Sequence, residues 1–173
     1  MRKSRFNTSL LALMLLASAP VYALDYLDNW VPAAQKVGAG RLTYLFWDIY
    51  DATLYAPQGV WRNHQPFALQ LVYLKSFEGR QIADRSLEEM RAQGLQDEMK
   101  LAAWHKQMRN IFPDVEKGVS LTGIYTQNGE TVFYRNTVEI GRIKDPEFSQ
   151  AFFAIWLGEN TSEPDMRRQL LGA

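Results

Sequence analysis

The 173-residue chain carries 19 Lys and Arg against 19 Asp and Glu, two histidines and no cysteine. Without cysteine there are no disulfides, thiolate metal sites or cysteine nucleophiles. Balanced charge leaves no overall electrostatic footprint for nucleic acid or for an anionic membrane surface. No internal repeat, linker or low-complexity tract divides the chain, so it reads as one domain behind a leader.

The leader comprises Arg2, Lys3 and Arg5, the apolar run Leu10 to Ala17, then Pro20 and the small-residue pattern Val21-Tyr22-Ala23. This is the pattern of a Sec-type signal peptide with cleavage after Ala23, and the run falls short of the ~20 residues a spanning helix needs. Losing three cations takes the formal net charge from 0 to 0 − 3 = −3. No second run is long enough to span a bilayer. Residues 24–173 can bury an adequate core without disulfide staples, so the expected home is the bacterial periplasm.

A first long strand is expected from Leu42 to Tyr55. Alternation puts Leu42, Tyr44, Phe46, Asp48, Tyr50, Ala52 and Leu54 on one face, and both faces are largely apolar. Pro57-Gln58-Gly59 signals a turn, and a second strand spans Phe67 to Lys75. Helices follow at Gly79 to Gln93, with Gly94 as its stop, and at Gln96 to Ile111, ended by Pro113. Strands at Ser120 to Thr126 and Thr131 to Asn136 join through the hairpin dipeptide Asn128-Gly129. A short strand covers Val138 to Ile143. Asp145-Pro146-Glu147 then supplies an N-cap, a first-turn proline and a first-turn acid for a helix with a broad apolar face. A last helix opens at Ser162-Glu163-Pro164-Asp165 and closes at Gly172. Grouped strands and helices predict an α+β fold, with helices packed on an antiparallel sheet.

Familiar catalytic signatures are missing. His64 and His105 lack metal-ligand spacing, so neither a metal nor another cofactor is expected. No nucleophile elbow, phosphate loop or dinucleotide fingerprint occurs. Glu88-Glu89 and Asp97-Glu98 are sequence neighbours on helices and therefore point to different sides. Asp48 and Asp51 are different: they interrupt an apolar aromatic strand, where Asp is a poor fit and a buried carboxylate needs a partner such as Arg41, Arg80 or Arg85. They read either as the polar end of an aromatic pocket or as a structural ion pair.

Val37-Gly38-Ala39-Gly40-Arg41, read as a Gly-rich turn running into Phe46-Trp47-Asp48-Ile49-Tyr50-Asp51-Ala52-Thr53-Leu54-Tyr55, resembles the opening of the chalcone isomerase-like family. Arg85-Ser86-Leu87-Glu88-Glu89-Met90, Phe133-Tyr134 and the stretch Asp145-Pro146-Glu147-Phe148 to Trp156-Leu157-Gly158 follow in the family's order. The resemblance covers about Val37 to Gly172. It implies an open-faced β-sandwich, a large antiparallel sheet with helices layered on one face and a cleft between them. It also implies a choice between ring-closing isomerases and non-catalytic relatives, some of which bind fatty acids. A gapless match puts the family's catalytic tyrosine at Ile82, its asparagine at Glu89 and its C-terminal threonine at Ile155, so the isomerase hydroxyls are lost. The strand threonine becomes Tyr50, as in fatty-acid-binding relatives. The arginine that clamps a carboxylate there falls at Leu42, one residue from Arg41, and a one-residue shift reverses the face. A bulge would be needed to bring Arg41 round.

These readings give a leading expectation: a non-catalytic periplasmic carrier for a small apolar or amphipathic ligand such as a fatty acid. Tyr50, Tyr44 and Phe46 would line the pocket with Asp48, and Arg41 would meet an anion. Two alternatives stand beside it. One is a small-molecule enzyme of the same fold using Asp48 and Tyr50 as an acid–base pair. The other is an interaction module docking through exposed aromatics such as Trp30 or Trp61.

Overall fold

Residues 25–173 are described by a computed structural model; the signal-peptide reading lies outside them. Ten elements follow in order among the described residues: β1 (Ala34–Tyr44), β2 (Trp47–Pro57), β3 (Phe67–Tyr73), α1 (Gly79–Ala92), α2 (Glu98–Ile111), β4 (Ser120–Tyr125), β5 (Thr131–Arg135), β6 (Val138–Ile143), α3 (Pro146–Leu157) and α4 (Pro164–Leu170). The strands form one sheet in the order β1-β2-β3-β4-β5-β6, with every neighbouring pair antiparallel. This is the expected α+β open-faced β-sandwich.

The expected single strand from Leu42 to Tyr55 is instead a hairpin, with β1 and β2 joined at Leu45-Phe46. Leu45 takes φ +55° to make the turn. Hairpin connections usually place Gly, Asn or Asp at positive φ. Here none is present, so the apolar pattern runs through the turn without a break. The Gly-rich segment is likewise not a turn. Gly38 and Gly40 lie inside β1, where they make room for α4: a Cβ on Gly38 would stand 2.1 Å from the carbonyl oxygen of Gln169.

One face of the sheet carries the helices. Leu54, Leu69, Leu71 and Phe133 meet Met90, Met108, Phe148 and Phe152 in the main core. α3 is buried along most of its surface, and its start is fixed by Asp145. The Asp145 carboxylate accepts from the backbone N–H groups of Glu147 and Phe148, and from the indole of Trp104 at 2.8 Å. This joins α2 to the start of α3. On the opposite face, Leu27 and Val31 in the turns before β1 pack on Ala68, Ile124 and Val132. Trp30 joins them half-buried, its indole N–H donating to Tyr134 Oη at 3.0 Å. Trp61 is half-buried too and packs edge-on against Phe67. Neither tryptophan is thus the exposed docking aromatic the sequence suggested.

Candidate functional site: a cavity between sheet and helices

Between the sheet and α1 and α3 lies a cavity of about 490 Å³, within the ~300–1,000 Å³ range of small-molecule sites. Leu69, Leu71 and Leu121 form its floor, and Ile82, Phe152 and Ile155 its roof. Its exposed lining residues mark the mouth: Tyr44 on the hairpin, Gln81 and Arg85 on α1, and Ser162 and Glu163 ahead of α4. The remaining wall is mostly aliphatic and aromatic.

Two phenols give the interior its polarity. Tyr50 on β2 accepts the indole N–H of Trp156 at 2.9 Å. Tyr73 on β3 stands opposite, its ring edge-on to Tyr50 with centroids 5.8 Å apart. Tyr73 is only 4% exposed, yet no hydrogen bond to its hydroxyl is formed among the described residues. Burial pushes the Tyr50 phenol up to about 12, with the Glu163 and Glu89 carboxylates adding to the rise. Burial raises Tyr73 further, helped by its neighbour Tyr50. Both phenols therefore remain protonated at physiological pH and can donate a hydrogen bond to a ligand oxygen.

The mouth favours neither sign of charge strongly, and a free anion least. Arg85 is the one cationic side chain in the lining, and it is held by Glu88 at 3.4 Å and by Glu89. Glu89 also accepts from Ser162 Oγ at 2.9 Å. Glu163 has its carboxyl pushed up by burial and by the nearby Glu89 charge, with Arg85 opposing. One cation thus stands beside two lining carboxylates.

The structure divides the expected site residues between two faces. Tyr50 and Tyr44 line the cavity, as do Leu42, Ile82, Glu89 and Ile155, the positions matched to the family's functional groups. Arg41, Asp48 and Phe46 do not. They lie in a shallow recess on the outer side with Trp47, Leu74, Lys75 and Lys117. Arg41 makes a two-pronged pair with Asp51, at 2.6 and 2.9 Å, and reaches Asp48 at 3.0 Å. Asp48 also accepts from Thr43 Oγ1 at 2.8 Å. The Arg41 guanidinium holds the Asp51 carboxyl below its usual range.

A bulge explains the division. Leu42 pairs with Tyr50 and Thr43 with Asp48, leaving Ile49 as an extra residue on β2. An inserted residue breaks the two-residue alternation. Tyr50 and Ile49 consequently both reach the cavity while Asp48 turns outward, which separates Asp48 from Tyr50 as an acid–base pair. The other bulge, at Val37, precedes Gly38 and leaves Arg41 opposite Asp51 rather than on the cavity face. Sequence reasoning missed Tyr73, Trp156 and Glu163. The strand Phe67 to Lys75 was expected, but no face was assigned to Tyr73, and nothing in a sequence shows that a hydroxyl lacks a partner.

Sheet, one-sided helix layer and interlayer cavity define an α+β open-faced sandwich with a small-molecule-sized pocket. The chain belongs to the chalcone isomerase-like family, whose profile matches residues 35–172. An uncharacterized protein of Haemophilus influenzae is 29% identical over 139 residues, 80% of this chain and 68% of that one. A solved fatty-acid binding protein of Arabidopsis thaliana shares the fold with a TM-score of 0.63, over 82% of this chain and 88% of its own, at 11% identity.

Proposed function

We propose that the protein is a non-catalytic carrier for a single-chain apolar or amphipathic ligand of the fatty-acid type, working in the periplasm after loss of residues 1–23. The observation that carries this reading is the cavity: about 490 Å³ of largely apolar space with two protonated phenols directed into it. The loss of hydroxyls at Ile82 and Ile155 supports binding over ring closure. The Arabidopsis protein that shares the fold, named for fatty-acid binding, supports the ligand class. The cationic start of the sequence and Val21-Tyr22-Ala23 support export.

The test is native mass spectrometry of the protein as purified, joined to displacement of a fluorescent long-chain probe. A bound chain, and competition by long-chain lipids, are expected. Ile82→Trp, which fills the cavity from α1, should abolish probe binding while the circular dichroism spectrum is kept. Absence of any lipid together with no probe binding would overturn the proposal. Export is checked separately, by whether the N-terminus of the protein recovered from the periplasmic fraction is Leu24.

A further inference from the structure

Four exposed large apolar side chains stand together at the β1–β2 turn, Tyr44 at 65%, Leu45 at 74%, Phe46 at 95% and Trp47 at 58%, whereas the others among the described residues, such as Met99 and Val138, stand singly. A soluble protein has no folding reason to place four consecutive apolar side chains on a protruding turn, and contiguous patches of this kind mark interaction sites. We infer that this hairpin tip is a membrane-docking finger, inserting Leu45 and Phe46 into the surface of an anionic bilayer so that lipid can pass into or out of the cavity.

Three observations favour a bilayer over a protein. The tip is small: its three aromatic rings and one leucine expose on the order of 500 Å², against the ~800 Å² per partner of a stable protein interface. Its chemistry is interfacial, since Trp and Tyr flank the apolar pair and such amphipathic rings settle at headgroup level. Its charge is also suited. Lys75 Nζ sits 3.3 Å above the Trp47 ring centroid, and Lys117 shares the same recess. Neither lysine is in an ion pair among the described residues, whereas Arg41 is neutralised by Asp48 and Asp51. The net charge, −3 once Arg2, Lys3 and Arg5 are lost with residues 1–23, gives no general attraction to anionic lipid, so these two local cations would set the orientation.

Continuity supplies the functional link. Tyr44 belongs both to the tip and to the cavity mouth, and Leu42 and Ile49 just behind it line the cavity. A docked tip would bring the mouth to the lipid surface, letting a chain enter along apolar side chains without crossing water.

The inference rests on the carrier reading, and flotation tests it separately. The purified protein is mixed with vesicles of equal parts phosphatidylcholine and phosphatidylglycerol, or with pure phosphatidylcholine, and floated through a density gradient. Wild type should float with the anionic vesicles and less with the neutral ones. Leu45→Asn with Phe46→Ser, where Asn suits the positive φ of the turn, should lower partitioning about tenfold or more. Its melting temperature and its affinity for a soluble long-chain probe should not change. Lys75→Gln with Lys117→Gln should reduce flotation with anionic vesicles only. The protein floated is the mature form that begins at Leu24, so the cationic and apolar residues 1–23 contribute nothing to the partitioning. Equal flotation of wild type and the Leu45/Phe46 variant would overturn the inference. So would failure of wild type to float, or a wild-type dimer that this variant dissolves. If probe binding persists while flotation fails, only the docking role falls; if no long-chain probe binds at all, the carrier reading falls.

Discussion

Trp156 donates its indole N–H to Tyr50 Oη across 2.9 Å, tying α3 to β2 at the wall of the cavity. The Tyr73 hydroxyl in the same cavity has no such partner among the described residues, so the two phenols carry different weights in folding. Removing Tyr50's hydroxyl leaves the Trp156 donor unpaired, and Tyr50→Phe should destabilise the protein by about 1 kcal/mol. The Tyr73 hydroxyl opens on the cavity and bonds no other described side chain, so Tyr73→Phe breaks no hydrogen bond and should leave stability nearly unchanged. Urea unfolding of the two variants checks the contrast; equal losses would mean that Tyr73 has a structural partner after all.

A cavity-lining hydroxyl that no described side chain holds is free to meet a ligand, and this bears on the ligand's polar end. Burial keeps both phenols protonated well above physiological pH, and the lining holds no unpaired cation. A long-chain methyl ester should therefore displace a fluorescent probe more tightly than the matching carboxylate at pH 8. Tyr73→Phe should weaken the ester by a few-fold, the size of one hydrogen bond, and leave a matched hydrocarbon unaffected. The pH dependence has a fixed sign. Lowering the pH protonates the ligand's carboxyl and neutralises Glu163, whose carboxyl is already shifted upward. Affinity for the acid should thus rise as pH falls, while affinity for the ester stays nearly flat. Preference for the ionised acid at pH 8 would contradict the assignment.

The face of Arg41 gives a sharper test of the bulge. In a regular strand Asp48 and Tyr50 would share a face; Ile49 as an extra residue separates them. Arg41→Ala and Asp48→Asn should both leave ligand affinity unchanged. Each should cost little stability, since the pair is about half exposed on both sides and exposed ion pairs contribute at most ~1 kcal/mol. A large loss of lipid affinity in Arg41→Ala, measured by probe displacement, would put the guanidinium in the cavity.

This local event also marks how far the sequence could be read. Helix starts and ends were legible because they are written in single residues: Asp145-Pro146 opens α3, and Gly94 at φ +96° follows the end of α1. The hairpin at Asn128-Gly129 was legible for the same reason. The turn at Leu45-Phe46 was not, because its residues are those of a strand and the turn depends on pairing with the partner strand. The bulge was hidden as well, since alternation assumes a constant period. The inward face was therefore correct at Tyr50 and Tyr44 and reversed at Asp48. Tyr73 lay in an expected strand with no face assigned to it, and its unpaired hydroxyl depends on the three-dimensional neighbours of β3.

Gly38 tests whether β1 closes the fold as described. Its place in the sequence suggested a turn, and a turn glycine replaced by alanine is penalised only if its φ is positive. Gly38 is not at positive φ. An added Cβ would stand 2.1 Å from the Gln169 carbonyl oxygen and 2.5 Å from that of Leu170. Backbone cannot step aside as a side chain can, so α4 would have to move off β1. Gly38→Ala should then cost about 1–3 kcal/mol, the usual range for overpacking. Gly40→Ala is the internal control: its nearest contact is Gln169 Oε1 at 2.4 Å, the end of a flexible side chain. That chain can swing away, and the loss should be clearly smaller. Thermal or urea unfolding of the pair reads the difference. Equal, mild losses would place the glycines in a loop and leave α4 free of β1; a steep loss confined to Gly38 fixes α4 against the strand that carries the cavity's edge.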